Sequence, residues 1–429
     1  MNAADPASAA ATRARPCVGL EIPPGPAGLD VLMPALAAAM QGTGPAIALL
    51  PGSGSTAYRA MVRHAVVPGE PVPEEVAVVA ATSGSTGHPA GVLIPGASLR
   101  AAALAFAQRA GQPQGHRWVA ALPLHHAGGL MVAARSVVAG TDPVAVASLG
   151  GASRFSASAF EQATMTALEL SRQDHRPLAV SLVPPMLSLL AGTNSIGTEL
   201  LCEYDVVLVG GAAAPRGLIE DLTDAGVCLA TSYGMTETCG GVAFNGRPLE
   251  GVTIEAEADG RLAITGTQVA LGYRDRREAH RWQQRAAGTH RFRTGDLGRI
   301  DAEGIISIEG RIDDVVQVAG TSVSLSAIRS VLTADPEVGN AEVVALPDAQ
   351  WGSRIVAAVV PVFAERVLRG PEVARALADE VENALGRPAR PRDVHMVPSL
   401  PVMESGKVDR AAVRTWALGM ERDQGGASS

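Results

Sequence analysis

Aromatic residues are scarce in this chain, at 3% of 429 residues, so a core has to be filled by small aliphatic side chains, chiefly alanine and valine. Basic residues are outnumbered, and the net charge of −8 argues against a nucleic-acid binder, which presents a basic face. No apolar run reaches the length of a membrane-spanning helix. Cysteine is limited to Cys17, Cys202, Cys228 and Cys239. None form a CxxC pair, which removes the common zinc and thioredoxin-like motifs and suits a reducing, cytoplasmic compartment. There is no Gly-x-Ser-x-Gly elbow, so a serine hydrolase is set aside. Residues 1–16 are alanine-rich without the apolar stretch of a secretory signal and read as a disordered tail, as do residues 421–429.

What is present is an ordinary globular balance, with 47% hydrophobic and 18% charged residues, in a chain long enough for two or more domains. Short apolar runs alternate with helical stretches. Strands are expected at Val76–Ala81, Trp118–Leu122, Leu178–Val183, Asp205–Val209 and Val227–Thr231, and helices at Ala97–Gly111, Leu130–Ala139 and Arg216–Ala225. That alternation predicts parallel βαβ units. After Gly246 short strands flank the turn Asp259-Gly260, as in a small antiparallel β unit. From Val315 on, strands and helices alternate again. The expected class is α/β: a large N-terminal domain (17–310) of parallel βαβ sheets plus a small β unit, a hinge (311–314) and an α+β C-terminal domain (315–420).

Four segments carry chemistry. Thr82-Ser83-Gly84-Ser85-Thr86-Gly87-His88-Pro89 follows a strand directly. Its small residues let the backbone wrap phosphate oxygens and its hydroxyls can bond them, but a flexible linker has the same composition, and no Walker Gly-Lys-Ser/Thr follows. A similar stretch, Gly52-Ser53-Gly54-Ser55-Thr56, has weaker context and reads as a loop. Thr231–Thr238 (TSYGMTET) also follows a strand, at the end where open α/β sheets bind ligands. Here Thr236 can bond a phosphate oxygen and Glu237 can hold Mg²⁺, or Thr236 can simply cap a helix. In Arg293-Thr294-Gly295-Asp296 and Gly310-Arg311-Ile312-Asp313-Asp314, Asp296 suits ribose hydroxyls and Arg311 suits phosphate, or the two form a surface ion pair. Lys407, in Ser405-Gly406-Lys407-Val408-Asp409-Arg410, can offset charge developing at a carboxylate and a phosphate, or is a solvated lysine.

In this order and at these spacings, the four segments resemble the acyl-adenylate-forming superfamily of acyl-CoA synthetases, peptide-synthetase adenylation domains and luciferases, over residues 76–412. The resemblance implies a nucleotide site in which Thr82, Ser83, Gly84, Ser85, Thr86 and Gly87 form the phosphate loop and Gly210, Gly211 and Ala212 lie beside adenine. It implies that Tyr233, followed by Gly234, stacks on adenine, Thr236 meets the α-phosphate, Glu237 holds Mg²⁺, Asp296 binds ribose and Arg311 approaches ribose and phosphate. It makes Asp313 the hinge of a mobile C-terminal domain, Lys407 the adenylation lysine and His126 a wall of the acyl pocket, with His125 as readily a satisfied core histidine. Leu122–Thr141, Leu208–Pro215 and Thr231–Gly241 most resemble the o-succinylbenzoate–CoA ligases of menaquinone biosynthesis in their compact actinobacterial form.

The implied activity is ATP- and Mg²⁺-dependent adenylation of a small carboxylic acid, o-succinylbenzoate, and transfer of the acyl group to coenzyme A. The alternatives are another aryl or alkyl acid and a non-catalytic nucleotide binder. A homodimer is as compatible with the sequence as a monomer. Two stretches depart from the superfamily. Pro89-Ala90-Gly91 lacks the lysine usual between Pro and Gly, so a cation for the β/γ-phosphates is expected to be missing. Gln317–Leu325 lacks the acidic, Pro-containing pattern expected beside the thiol-transfer site.

Overall fold

A computed structural model describes residues 13–82, 89–192, 196–285, 288–348, 350–362, 370–403 and 408–425. Strands Cys17–Ile22, Ala46–Pro51 and Val76–Ala81 pair in parallel and form the start of one five-stranded sheet. The chain then returns antiparallel as Gly91–Pro95. A seven-stranded sheet has a parallel centre of Arg117–Ala120, Leu178–Leu182, Val206–Val209 and Leu229–Met235. It also ends in an antiparallel return, Gly240–Phe244. Both sheets contain the expected parallel strands and add an antiparallel return. The reason is connection length: residues 82–90 and 236–239 are too few for a crossover helix, so the next strand must run back. Both short returns coincide with segments read from sequence as chemistry-bearing.

Helices Ala27–Gln41, Gly96–Arg109 and Ala127–Ala139 lie in one apolar cluster with residues of both sheets, including Leu32, Leu36, Val78, Leu99, Trp118, Leu130 and Leu208. Small side chains make this close layering feasible. At Gly129 a Cβ would lie 2.4 Å from the Pro123 carbonyl oxygen, so no other residue fits the first turn of Ala127–Ala139 there. On that helix Arg135 is buried with its guanidinium 4.3 Å from the Phe106 ring centre and 5.0 Å from that of Trp118.

The antiparallel unit comprises Val252–Ala256, Arg261–Gly266, His290–Ile300, Trp282–Gln284 and Ile306–Arg311, with the expected turn at Gly260. Beyond it, antiparallel Val338–Asp348 and Gly352–Pro361, joined in parallel by Asp393–Met396, pack with helices Leu325–Ala334 and Gly370–Leu385 around Ile328, Leu332, Val343, Ala357, Leu377 and Val381. The α+β arrangement expected there is present.

Two readings at the ends need correction. Residues 1–16 were read as tail, but Ala14–Arg15 pairs with Val72–Pro73. Helix Arg410–Gly425 continues into the stretch read as tail from 421. Gly52–Thr56 is not merely a loop, since Ser55 caps helix Thr56–Val66 by accepting from the Tyr58 amide at 3.1 Å. Sequence reading missed the start at Ala14 because its anchor is a single long side chain. Arg15 is buried and donates to the carbonyls of Gly44 (2.9 Å), Val76 (3.0 Å) and Ala39 (2.9 Å), joining a helix end, a turn and a strand. Arg15→Ala leaves these acceptors without their charged donor and should destabilise the chain by about 2–4 kcal/mol. Urea unfolding followed by circular dichroism reads this as a lower midpoint; an unchanged midpoint would mean that solvent replaces the guanidinium without cost.

Candidate active site

Strand Leu229–Met235 carries Tyr233 toward the antiparallel unit, where its phenol donates to Asp296 Oδ2 at 2.8 Å. The other carboxylate oxygen, Oδ1, accepts from Arg311 Nη1 at 3.2 Å. Asp296 is itself placed by Thr294, whose hydroxyl accepts from the Asp296 amide (3.0 Å) and donates to the Leu262 carbonyl (2.8 Å). Burial raises the Asp296 pKa above the ordinary aspartate value, while Arg311 and Tyr233 work against the rise. Each carboxylate oxygen keeps a second lone pair, so the group can still accept from two adjacent hydroxyls. Arg311 also grips Asp313 through two bonds, Nε–Oδ1 at 2.8 Å and Nη2–Oδ2 at 3.1 Å. Burial works against its charge, but Asp313, Asp296 and Asp314 together raise the Arg311 pKa above the usual arginine value. A phosphate approaching Arg311 competes with Asp313 for the same fork.

The reversal after Tyr233 is held by close backbone contact. A Cβ on Gly234 would sit 1.9 Å from the Gly240 carbonyl oxygen, which only glycine permits. Thr236–Thr238 is a single 3₁₀ turn rather than the start of a helix, and Thr238, not Thr236, fastens it: its hydroxyl accepts from the Met235 amide (3.0 Å) and donates to the Gly240 carbonyl (2.8 Å). Thr236 and Glu237 are nearly buried on that turn. Glu237 Oε1 accepts from the Tyr273 phenol at 2.6 Å, and Tyr273 belongs to a strand at the edge of the five-stranded sheet, so the carboxylate is held by both sheets. Among the described residues no cluster of three or more His, Cys, Asp or Glu could hold a metal alone. One buried carboxylate fits Mg²⁺ brought in with a polyphosphate, since that ion takes one or two protein carboxylates and fills its shell with phosphate and water.

Gly210 ends its strand beside Ser232, with Gly211 in the left-handed region at φ 84° and Ala212 exposed, so Gly210–Ala212 abuts the Tyr233 strand. His126 precedes helix Ala127–Ala139, and that helix brings Met131 against Gly240. The Tyr58 phenol lies 3.1 Å from His125 Nε2 and 3.2 Å from His126 Nε2. Burial pushes the His125 pKa down to about 4, so it is neutral at physiological pH. The Thr82 amide donates to the Ala90 carbonyl at 2.8 Å and the Ala90 amide to the Thr82 hydroxyl at 3.0 Å, which ties these two residues together. Ser83, Gly84, Ser85, Thr86, Gly87 and Lys407 lie outside the described residues. Tyr58 and Tyr273 were missed in the sequence, for each acts on a partner far along the chain, while Thr294 lay in a segment singled out there but was given no role.

The two departures take definite form. The side chain of Ala90 is 5% exposed and belongs to the apolar cluster between the sheets, so on this backbone position 90 faces packing rather than solvent. Val315–Val318 and Thr321–Ser324 form a regular two-stranded hairpin, turned by Ala319 and Gly320 at positive φ.

Two mixed sheets around shared helices, a carboxylate–tyrosine–arginine cluster at the strand ends and a smaller α+β unit beyond Arg311 define the class of two-part, nucleotide-dependent acid-activating enzymes. The chain belongs to the AMP-binding enzyme family, whose pattern matches residues 33–271, with the AMP-binding enzyme C-terminal domain matching residues 327–407. A protein of Mycobacterium tuberculosis named probable 2-succinylbenzoate–CoA ligase is 34% identical over 398 residues, 92% of this chain and 97% of that one. Among solved structures, an O-succinylbenzoate coenzyme A synthetase from Bacillus subtilis in complex with ATP and magnesium aligns with TM-score 0.71 at 24% identity, covering 93% of this chain and 89% of that one. The amide bond synthetase of Marinactinospora thermotolerans aligns with TM-score 0.68 at 24% identity, covering 94% and 90%. Likeness at these identities speaks for the fold.

Protonation of Asp296 removes an acceptor for hydroxyls and a partner for Arg311. ATP binding should therefore weaken as pH falls through a pKa above the ordinary aspartate value. Tyr233→Phe removes a bond that favours the charged carboxylate, so the acidic limb should move to higher pH and ATP should bind roughly tenfold more weakly, the worth of one charge-assisted bond. Calorimetric titration of ATP across pH reads both effects, and superimposable profiles would disconnect Asp296 from nucleotide binding. Ala90→Lys puts an ammonium into the apolar cluster and should lower the melting temperature without tightening ATP binding. Tighter ATP binding at unchanged stability would show instead that a side chain at 90 reaches the phosphates.

Proposed function

We propose that this protein activates o-succinylbenzoate as its acyl-adenylate and then passes the acyl group to coenzyme A, releasing pyrophosphate and AMP. The observation that carries the reading is the Tyr233–Asp296–Arg311 cluster, with Thr236 and Glu237 on the adjoining turn. The choice of acid is supported by the 34% identical relative that shares 92% of this chain.

Asp296 accepts from the ribose, Tyr233 lies along adenine next to Gly210, Gly211 and Ala212, and Thr236 donates to the α-phosphate. Glu237, oriented by Tyr273, holds Mg²⁺, which when bound neutralises part of the triphosphate charge. The substrate carboxylate attacks the α-phosphorus; an O–P bond forms and the bond to the β-phosphate breaks. Lys407 offsets the charge on the oxygens in flight. It is the one lysine in a chain that otherwise uses arginine for every basic side chain apart from histidine. A compact ammonium on a flexible stem suits a group that must enter and leave a crowded phosphate, where the planar arginine fork does not. In the second step the unit beyond the hinge at Asp313 turns, the coenzyme A thiol attacks the acyl carbonyl, and AMP leaves with the electrons of the broken C–O bond. The Tyr58–His125–His126 group forms a wall of the acyl pocket, kept neutral on the His125 side. Four unpaired cysteines support a cytoplasmic setting, and no helix among the described residues is long and apolar enough to cross a membrane.

The test is ATP–pyrophosphate exchange with o-succinylbenzoate and a panel of other acids, then mass spectrometry of products formed with coenzyme A. Exchange and an o-succinylbenzoyl-CoA product are expected, and Lys407→Ala should lower exchange by at least a hundredfold while ATP still binds. Exchange with a different acid alone would sink the choice of substrate. Full exchange by the lysine variant would sink the role given to Lys407.

A further inference from the structure

On the helix that His126 opens, a buried guanidinium stands without a counter-charge among the described residues. Arg135 is 7% exposed and lies in the later turns of helix Ala127–Ala139. It follows His126 by nine residues, roughly 13 Å along the helix axis, which takes it well away from the acyl wall proposed at the start of that helix. Strand Arg117–Ala120 points the same way. His125 and His126 come after its carboxyl end, whereas His116, 2% exposed, comes just before its first residue. Arg135 and His116 line a cavity of about 50 Å³ together with Leu104, Phe106, Trp118 and Ala139.

The rings of Phe106 and Trp118 occupy the neighbourhood of the guanidinium, but its hydrogen-bonding edge is not used up. Arg135 Nε is buried with no hydrogen-bond partner, and so is Nδ1 of His116. Burial alone acts on the charge of Arg135, with no carboxylate among the described residues to support it, and pushes its pKa down to about 9. Burial also pushes the His116 pKa down to about 4 against the pull of Asp205, so the imidazole is neutral and adds no second positive charge. Asp205 is itself engaged, with Oδ2 accepting from the Leu178 amide at 2.7 Å. Nor do the carbonyls ending the helix serve, for those of Ser136 and Val137 accept from the amides of Thr141 (3.0 Å) and Gly140 (3.3 Å).

We propose that this cavity is a binding site for a small monovalent anion such as chloride, held between the edge of the Arg135 guanidinium and the imidazole N–H of His116. A buried charge is costly when it is left unpaired. Aromatic rings offset part of that cost, but the N–H donors of the fork still need acceptors. Water in the cavity accepts those bonds and leaves the charge uncompensated, whereas a halide does both. The charge count sets the valence, since one guanidinium beside a neutral imidazole matches one negative charge. The volume sets the size, since about 50 Å³ admits a few water-sized bodies and no nucleotide. A neutral imidazole can carry its proton on either nitrogen, and an anion in the cavity favours the Nδ1–H form. Bound there, the ion ties the later turns of helix Ala127–Ala139 to the residue that precedes strand Arg117–Ala120.

An ion that binds only the folded state stabilises it by mass action, so melting temperatures in sodium chloride and in sodium gluconate at equal ionic strength read the occupancy. The chloride-specific rise should saturate, reaching about 2–4 °C at a concentration roughly tenfold above the dissociation constant. Bromide should reproduce it. Arg135→Gln should abolish the rise, while Arg311→Gln, at the nucleotide site, should keep it. Because Arg135→Gln can alter folding by itself, chloride-35 magnetic resonance on the unaltered protein gives a second reading: the chloride line should broaden in excess of the solvent value and narrow again when bromide, but not gluconate, is added. A rise that never saturates or is equal in Arg135→Gln, or a chloride line with no excess width, means that water fills the cavity and overturns the proposal. Broadening that survives Arg135→Gln and vanishes in Arg311→Gln puts the ion at the nucleotide site and overturns it as well. None of these outcomes depends on which acid the enzyme activates.

Discussion

A single buried carboxylate, Asp296, holds together the parts of this molecule that must act in concert. It accepts from Tyr233 on a strand of the large mixed sheet and from Arg311 at the exit toward the smaller unit, and its own amide is fixed by Thr294 in the antiparallel unit. Burying an anion is costly unless it is paired and bonded, and Arg311 and Tyr233 both favour the charged carboxylate against burial. The same requirement makes the site ready for a nucleotide, since the oxygens are oriented before any hydroxyl arrives. Arg311 belongs at once to this cluster and, through Asp313, to the turn Ile312–Asp314 that follows it, so one guanidinium joins the two.

Arginine does much of the long-range tethering. Arg15 gathers three carbonyls at the start of the fold, Arg135 stacks on two rings between helices, and Arg329 and Arg410 lace the C-terminal unit. A core poor in aromatics has few large side chains to lock elements together, and planar forks that satisfy several acceptors fill part of that need. Lysine, absent from all these places, is reserved for one position.

The chain's local patterns foretold much of this. Strand Val76–Ala81 occurs at the expected residues and helix Arg216–Asp224 ends one residue short of the expected Arg216–Ala225, because runs of buried aliphatics and a 3.6-residue periodicity are local properties. The two short returns were legible as sites of chemistry, but the reversal of strand direction was not, because sheet direction depends on connection length and on which neighbour is free to pair. The tail readings extended too far inward at both ends: Ala14–Arg15 is placed by carbonyls far along the chain, which no local pattern reports, and a helix runs to Gly425. Lysine replaced by alanine at position 90 reads in sequence as a lost phosphate contact, whereas the fold puts that methyl in the core.

By itself the sequence determined the class of chemistry, since hydroxyls, carboxylates, one lysine and small residues recur in the order and at the spacings by which the chain resembles acyl-adenylate-forming enzymes. It determined the order of elements for the same reason. Only tertiary structure decided who orients whom: Tyr273 for Glu237, Tyr58 for the His125–His126 pair, Thr238 rather than Thr236 for the turn, and Arg410 for Asp314. Those choices depend on distances between side chains that are remote in sequence, and a hydrogen bond is sensitive to tenths of an ångström that no residue pattern encodes.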